Sequence, residues 1–435
     1  MSPKQKQKEP EKVETKQDGQ TIQTVIAESI QRTREMKLVP GMEVFDKPAS
    51  ITELVNMIVY KAWEAKASDI HIDPMQDSVL VRYRIDGIAY DIVSLPKEEQ
   101  PLLITRIKVL SGLRTDEHLM AQDGRFRIHV DTVDIDLRVS IIPTYNGEDV
   151  VMRLLVGEAR LISLEQLGFS EKDLATIHRY IEKPYGMILA TGPTGSGKTT
   201  SLYSILQILN SREVSIITIE DPIEYTVPGI TQIQVNVQTN LTFAAGLRSI
   251  VRQDPNIILV GEIRDNETAS IAVNAAMTGH LLLSTLHTND AATTLPRLLD
   301  MGIEPFLIAS TVNIAIGQRL VRKLCSDCKK EVAFTQEERD TLKNDVPAEQ
   351  LNAVKKVFHA EGCAKCNHTG FVKRVGIYEV LEVTEPVRQL IMHRASADEI
   401  REAAIKSGMT TMLQDGFSKV ASGLTSLAEL LRVVH

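Results

Sequence analysis

The sequence has no run of apolar residues long enough to cross a membrane. A transmembrane helix needs about eighteen consecutive apolar residues, and no stretch reaches that length although 43% of the 435 residues are hydrophobic. The N-terminal stretch MSPKQKQKEPEKVETKQDGQ also lacks the apolar core of a signal peptide. We therefore expect a cytoplasmic protein with enough apolar side chains for two or three buried cores.

An excess of positive charge is also missing. The chain has 49 Lys and Arg against 57 Asp and Glu, which gives a formal net charge of -8. Proteins that bind the phosphate backbone of nucleic acids depend on clustered Lys and Arg. The charge balance therefore argues against nucleic acid as a substrate.

The hydrophobic pattern is weak at the N-terminus. Residues 1–20 are too polar to offset the entropy of ordering, and residues 21–38 place apolar side chains at helical spacing. Together they predict a disordered and helical extension over residues 1–45. Ser50 and Glu53 then stand at capping-box spacing ahead of an apolar face, which predicts the start of a helix.

Residues 46–156 have the pattern of a small α+β domain. Short apolar or alternating runs are typical of strands, and a helical stretch at 98–111 separates the first three from the last three. The strands are predicted at residues 69–73, 78–85, 88–95, 125–130, 133–142 and 149–155.

The pattern changes after residue 156 to buried strands that alternate with helices, which is typical of α/β domains. A helix is predicted first at 170–182, and helical spacing returns at 395–407 and 413–434. We predict an α/β protein in which residues 157–435 form the second domain.

A phosphate-binding loop follows the first of these buried strands. Residues 187–191 are apolar, the next nine read GPTGSGKTT, and a helix is predicted at 201–210. In this context backbone N–H groups and a helix N-terminus cradle the phosphates, Lys198 reaches the β- and γ-oxygens, and Thr199 can ligate Mg2+. The residues predicted to bind nucleotide are Gly192, Pro193, Thr194, Gly195, Ser196, Gly197, Lys198, Thr199 and Thr200.

Three further buried strands end in polar side chains. The strands are predicted at 215–219, 256–260 and 281–285, and the side chains that follow them are Glu220, Glu262 and His287. Ligands of parallel sheets collect at the carboxyl ends of the strands. Each of these side chains is therefore a candidate sensor of the γ-phosphate.

The order of these motifs resembles the secretion ATPase superfamily, which includes the motors of type II secretion and type IV pilus assembly. The segments ATGPTGSGKTT, ITIEDPIEY and NIILVGEIRDNETASIAVNAAMTGHLLLSTLHTND look like its Walker A, Asp box, Walker B and His box. The upstream segments ASDIHIDP, VRYRIDG, QDGRFRI and DLRVSIIPTYNGEDVVMRLL resemble its N-terminal ATPase-associated domain. The resemblance implies a PAS-like domain over 46–156, followed by a RecA-like P-loop ATPase domain over 157–435.

The resemblance also implies roles for individual residues. Glu262 is expected to be the base or water-orienting carboxylate, Glu220 to support metal or water, and His287 to sense the γ-phosphate. Arg138 and Arg153 match the arginines that this family delivers to the nucleotide from its N-terminal domain. For each of these arginines, and for Arg84, the alternative to a role at the nucleotide is a surface salt bridge. For His280 a structural role is favoured over a catalytic one.

The four cysteines form two Cys-x-x-Cys pairs, and in a reducing compartment such pairs indicate a metal before a disulfide. About 34 residues separate the pairs, an arrangement typical of a closed, structural zinc site, with unligated thiols and redox pairs as the alternatives. The predicted zinc ligands are Cys325, Cys328, Cys363 and Cys366, within an element over about 320–372. Among the proteins that the chain resembles, assembly motors carry such an element and retraction motors generally lack it, which disfavours retraction.

The function that the resemblance implies is a homo-hexameric ATPase that uses ATP and Mg2+ to power assembly of a type IV pilus or a type II secretion pseudopilus. Its partner is then an inner-membrane platform protein, through which it associates peripherally with the cytoplasmic face of that membrane. One alternative is a DNA-directed or type IV secretion-like P-loop motor. Another is a non-catalytic zinc-bearing scaffold, against which the intact set Lys198, Thr199, Glu220 and Glu262 argues.

Overall fold

The computed structural model describes residues 50–130, 133–155 and 162–434. The chain divides into two compact units, Met1–Glu158 and Ala159–His435, and each is described by itself. The predicted extension over 1–45, with its helix at 21–38, lies outside the described residues. In the part of the chain that is described, none of the helices combines the length and the apolar character needed to cross a membrane.

In its described residues, the first unit has a six-stranded antiparallel sheet and two α-helices. Its elements are α1 (Ile51–Glu64), β1 (Asp69–Pro74), β2 (Ser78–Ile85), β3 (Ile88–Pro96), α2 (Gln100–Ser111), β4 (Gln122–Val130), β5 (Val133–Thr144) and β6 (Gly147–Leu155). The strand order is β3-β2-β1-β6-β5-β4. Ser50 caps α1 by accepting a hydrogen bond from the N–H of Glu53 at 3.2 Å, as the capping-box spacing predicts.

Alternation along the strands separates the two faces of this sheet. In β2, Val79, Val81 and Tyr83 are buried and contribute to one apolar core together with the buried faces of α1 and α2. Most side chains on the other face are polar, among them Arg82 and Arg84. All six strands lie where the sequence pattern predicts them, with boundaries that differ by at most three residues.

The second unit is built on a seven-stranded sheet with helices between the strands. The elements before its last parallel strand are α3 (Leu164–Leu167), α4 (Glu171–Ile181), β7 (Gly186–Thr191), α5 (Lys198–Leu209), β8 (Ile216–Glu220), β9 (Thr231–Gln234), α6 (Phe243–Ile250), β10 (Ile257–Val260), α7 (Asn266–Met277), β11 (Leu281–Leu286), α8 (Thr294–Asp300) and α9 (Pro305–Thr311). With β12 (Val312–Leu324) and β15 (Phe371–Glu382), the strand order is β15-β12-β7-β11-β10-β8-β9, and every neighbouring pair is parallel except β12 with β15.

The remaining elements continue the sheet and add a small subdomain. They are β12 (Val312–Leu324), β13 (Lys329–Ala333), α10 (Gln336–Leu342), α11 (Ala348–Ala353), β14 (Lys356–Ala360), β15 (Phe371–Glu382), α12 (Glu385–Met392), α13 (Ala397–Lys406), α14 (Met412–Ala421) and α15 (Leu427–Val434). Strands β13 and β14 form a separate two-stranded sheet. The subdomain lies in sequence between the long antiparallel partners β12 and β15, which anchor both of its ends.

Both faces of the large sheet are covered. In β7, Met187 and Leu189 enter one apolar core, whereas Ile188 and Ala190 enter another on the opposite face. All six residues of β7 are buried, which explains why its sequence is a continuous apolar run rather than an alternating one.

Two predicted helices have different boundaries in the structure. Helix α5 begins at Lys198 rather than at 201, because Gly197 with φ 89° ends the loop and lets the helix start with the lysine. The helical pattern at 413–434 is divided into α14 and α15, because Gly423 adopts φ 70° and the chain turns between them. Thr425 holds that turn by donating its hydroxyl to the Arg322 carbonyl at 2.8 Å.

A buried ion pair fixes the C-terminal helix α15 to strand β12. The Glu429 carboxylate accepts hydrogen bonds from the Arg322 guanidinium at 2.8 Å and from the Arg432 guanidinium at 2.7 and 2.8 Å. Burial raises the pKa of Glu429, but the hydrogen bonds from the two arginines outweigh this effect and lower the pKa to about 2.

We expect E429Q to lower the free energy of unfolding by roughly 3 kcal/mol at pH 7, because Arg322 loses its buried counter-charge. The folded pKa lies below the ordinary value of 4.5, so the stabilisation is complete above pH 4.5 and is lost as the pH falls toward 2. The difference between parent and E429Q in urea unfolding should therefore shrink as the pH is lowered from 5 to 3. E402Q, which changes an exposed glutamate paired with Lys406, is the control, and equal stability of E429Q and parent at pH 7 would contradict the prediction.

Candidate nucleotide-binding site

The loop between β7 and α5 forms a compact turn at the carboxyl edge of the large sheet. Gly192, its first residue, has φ 143°, a conformation that side chains disfavour. A Cβ atom there would lie 2.3 Å from the Gln318 carbonyl oxygen of β12. Residues 193–195 are exposed at the tip, whereas Ser196 is buried and Thr199 and Thr200 in the first turn of α5 are half-buried. The predicted loop thus stands at a helix N-terminus, where backbone N–H groups favour phosphate.

Lys198 lies across this loop. Its ammonium donates hydrogen bonds to the carbonyls of Gly192 at 2.8 Å and Pro193 at 3.1 Å. Burial lowers the pKa of Lys198, and the negative charge of Glu262 opposes that shift. The lysine and this carboxylate, 64 positions apart in the sequence, therefore lie close enough to interact electrostatically.

Glu262 and His287 meet at the ends of adjacent strands. Strands β10 and β11 pair in parallel with Val260 opposite Ser284, so the side chains that follow them approach each other. The His287 Nε2 lies 2.9 Å from one carboxylate oxygen of Glu262, and the Arg264 guanidinium lies 2.6 Å from the other. The carboxylate is thus held in one orientation by two partners, of which Arg264 is 65% exposed.

Glu220 lies at the end of β8 but faces inward. It is 2% exposed, and it accepts hydrogen bonds from the hydroxyls of Tyr203 and Thr218 and from the Gln232 amide at 3.3 Å. Burial and the neighbouring carboxylate raise the pKa of Tyr203 far above its usual range. The structure therefore places Glu220 in a hydrogen-bond network with side chains of α5, β8 and β9, and its predicted role with metal or water stays a prediction.

His280 contacts the backbone of the helix that precedes it. Its Nδ1 lies 2.9 Å from the Ala275 carbonyl at the end of α7. This contact agrees with the structural role that the sequence favours for His280.

The arginines predicted to serve the nucleotide lie on the polar face of the first unit. Arg138 and Arg153 are directly opposite each other on β5 and β6, and Arg125 continues the row on β4. Asp69 of β1 follows Arg153 in register and binds its guanidinium at 2.9 Å. The sheet therefore presents a row of arginines that ends at Asp69. The role of Arg138 and Arg153 toward the nucleotide stays a prediction.

The four cysteines converge at the ends of β12 and β15. Their sulfur atoms all lie within 4.8 Å of one another, and neighbouring sulfurs are 3.9, 3.8 and 3.7 Å apart. A tetrahedral site with Zn–S bonds of about 2.3 Å has sulfurs about 3.8 Å apart, so the cluster has the dimensions of such a site. None of the four is in a disulfide.

Backbone N–H groups also prepare this cluster for a metal. The Cys366 sulfur accepts hydrogen bonds from the N–H groups of Cys363 at 3.1 Å and Gly370 at 3.2 Å. Burial raises the pKa of Cys366, but these donors outweigh it and lower the pKa to about 7. A thiol that ionises readily is the form that metals bind.

Three residues near the loop were not predicted from the sequence. Gln318 donates its amide to the Ser196 carbonyl at 2.8 Å, and Tyr203 and Arg264 hold the two glutamates described above. A polar residue inside the apolar run of β12 was a usable signal for Gln318. Nothing in the local pattern singles out Tyr203 or Arg264, because their partners come from other strands or from across a turn.

The fold and site together define a P-loop nucleotide-binding protein of the mixed α/β class, in which the carboxylate that follows β10 interacts with the charge of the loop lysine. The family model described as "Type II/IV secretion system protein" matches residues 45–432. The chain therefore belongs to the family of type II/IV secretion system proteins, as the motif resemblance predicts, and proteins of this family are ATPases.

Several characterised relatives are similar over most of the chain. The type IV pilus assembly ATPase PilB of Myxococcus xanthus is 44% identical over 384 residues, which are 88% of this chain and 68% of that protein. The type II secretion system ATPase E of Vibrio cholerae is 44% identical over 385 residues, which are 88% of this chain and 75% of that protein.

Solved structures share the fold. The pilus retraction motor PilT with bound ADP is 27% identical, with a TM-score of 0.57 over 87% of this chain and 96% of that one. The ATPase DotB of Legionella pneumophila has a TM-score of 0.61 and 22% identity over 87% of this chain and 94% of that one.

Proposed function

We propose that this protein is an ATP-hydrolysing hexameric motor that powers assembly of a type IV pilus or a type II secretion pseudopilus. The observation that carries the proposal is the approach of Glu262, held by His287 and Arg264, to the charge of Lys198 beside the phosphate-binding loop. The family and the relatives named above supply the coupling to filament assembly. A PAS-like first domain and a RecA-like second domain belong to the same proposal.

The chemistry follows from the charges of the site. Hydrolysis of a phosphoanhydride needs neutralisation of the phosphate charge and a water held in line, more than covalent help. Lys198 would exchange its loop carbonyls for phosphate oxygens, and the fixed Glu262 carboxylate would orient the water and accept its proton. His287 would hold that carboxylate and respond to the γ-phosphate.

Two further groups are assigned as part of the proposal. The hydroxyl of Thr199, half-buried in the first turn of α5, fits the position of a Mg2+ ligand, and that ion would supply charge neutralisation when bound. Arg138 and Arg153 are proposed to neutralise phosphate charge as well, and Glu220 to support metal or water through its network with Tyr203.

Assembly is favoured over retraction for two reasons. The relatives at 44% identity include a pilus assembly ATPase and a type II secretion ATPase, whereas the retraction motor PilT is 27% identical. The tetracysteine cluster is the second reason, since assembly motors carry such an element. We propose an inner-membrane platform protein as partner and peripheral association with the cytoplasmic face through it. The acidic net charge of -8 disfavours the alternative of a DNA-directed or type IV secretion-like motor.

We expect K198A to lose tight nucleotide binding, because the loop loses its phosphate-binding charge. E262Q should keep nucleotide affinity but lower kcat by about a hundredfold or more, the usual effect of removing a general base. A coupled phosphate-release assay and titration with a fluorescent ADP analogue separate the two effects. E267Q, which changes an exposed glutamate paired with Arg248, is the control. Hydrolysis by E262Q at the parental rate would contradict the proposed base and favour a non-catalytic scaffold.

The motor role predicts a ring of six and a response to the membrane platform. Native mass spectrometry of the parent with ATP should give six chains, and its slow ATPase rate should rise several-fold with a soluble fragment of the inner-membrane platform protein. Duplex DNA should leave the rate unchanged. A monomer that ignores the platform fragment but is stimulated by DNA would overturn the filament-motor proposal.

We propose that Cys325, Cys328, Cys363 and Cys366 hold one Zn2+ ion in a closed, structural site. With four thiolates no position remains for water, so zinc would stabilise the ends of β12 and β15 rather than act in hydrolysis.

Purified parent should therefore contain one zinc per chain by plasma mass spectrometry, and C366S should lose it and melt at a lower temperature. S326A, which changes a neighbouring exposed residue, is the control and should keep the metal. A full equivalent of zinc in C366S, or none in parent purified without chelators, would contradict the assignment.

A further inference from the structure

Strand β12 contacts the phosphate-binding loop from within the sheet. It pairs in parallel with β7, and Gly317 lies opposite Thr191. The next residue along β12, Gln318, therefore lies beside Gly192, the first residue of the loop. Gln318 is 1% exposed, so a polar side chain here is enclosed by protein.

Gln318 touches the loop at three points. Its amide nitrogen donates a hydrogen bond to the Ser196 carbonyl at 2.8 Å. Its backbone carbonyl oxygen occupies the space that a side chain on Gly192 would need. The same amide nitrogen lies 3.3 Å from the position of a Cβ atom on Gly197. One residue thus contacts the beginning and the end of the loop.

The environment of the amide argues for a role beyond packing. The Gln318 Oε1 atom is buried and has no hydrogen-bond partner among the described residues. An amide left half-satisfied in a buried position is unfavourable compared with an apolar side chain of the same length. The hydrogen bond donated to Ser196 is therefore the feature that an apolar residue could not replace.

We infer that Gln318 is a positioning residue that orients the phosphate-binding loop for nucleotide. A trans peptide points its carbonyl and its N–H in opposite directions. Because the Ser196 carbonyl is directed at Gln318, the N–H of Gly197 points away from β12 and toward the side on which a phosphate oxygen would accept it. Loss of the Gln318 donor frees this peptide to rotate, and the loop then binds the phosphates less well.

The inference concerns binding more than turnover. The β-phosphate is common to ATP and ADP, so a misoriented loop weakens both nucleotides alike. Gln318 touches neither Glu262 nor His287 through any hydrogen bond of the described residues, so the hydrolytic step itself should change little. The KM for ATP and the Kd for ADP should rise together while kcat is nearly kept.

The test uses Q318M and Q318L in the full chain. Methionine matches the length of glutamine and leucine is of similar size, and neither side chain can donate a hydrogen bond to the Ser196 carbonyl. With a fluorescent ADP analogue as probe, we expect the Kd of both variants to rise by about five- to tenfold, the order expected for one lost hydrogen bond. The KM for ATP should rise by the same factor and kcat should fall by less than about twofold.

Q389M is the matched control, because Gln389 lies on α12 and binds the exposed Glu385 of the same helix. Its Kd for the ADP analogue should equal that of the parent. Parental affinity in Q318M or Q318L overturns the inference. If both variants lose affinity and also show a large fall of the thermal midpoint of unfolding, the role of Gln318 is packing. The inference is then overturned as well. Because kcat and native mass are read separately, the motor proposal can fail while this inference stands.

Discussion

The parallel pairing of β7 with β11 on one side and β12 on the other is the constraint on which the site depends. Thr191, the last residue of β7, lies opposite Leu286 of β11 and Gly317 of β12. Its buried hydroxyl accepts the N–H of Thr288 at 3.2 Å, which ties the start of the loop to the segment that carries His287. Since the strands run in one direction, their carboxyl ends lie at one edge, and segments distant in sequence become neighbours there.

Two buried carboxylates among the described residues, Glu262 and Glu429, are each held by side-chain donors. Glu262 has Arg264 and His287, and Glu429 has two arginines, because removing a carboxylate from water without compensation is strongly unfavourable. Lys198 is the contrasting case, since its ammonium is held by carbonyl dipoles and by the more distant charge of Glu262. Such an ammonium gains most from an incoming anion, which is why the loop suits a phosphate.

Strand β12 joins two features that the sequence presents separately. Gln318 in its middle contacts the phosphate-binding loop, and Cys325 follows directly after its last residue. Its long antiparallel pairing with β15 brings the second cysteine pair to the same end, where the four sulfurs meet. The cysteine cluster therefore lies at the end of a strand whose middle is in contact with the loop.

Local patterns predicted much of this protein. Alternation located the strands of the first unit, continuous apolar runs located the buried parallel strands, and the glycine-rich loop, the cysteine pairs and the secretion ATPase resemblance followed from short motifs. These features depend on neighbours in sequence, so the sequence alone determined them. Pairwise geometry between distant segments was decided only by the tertiary structure. Glu220 follows a strand like Glu262, yet it turns inward to Tyr203 because β8 and α5 pack against each other there. Gln318 reaches Ser196 only because β12 pairs with β7 in one register, and strand register is a property of the folded sheet rather than of either segment.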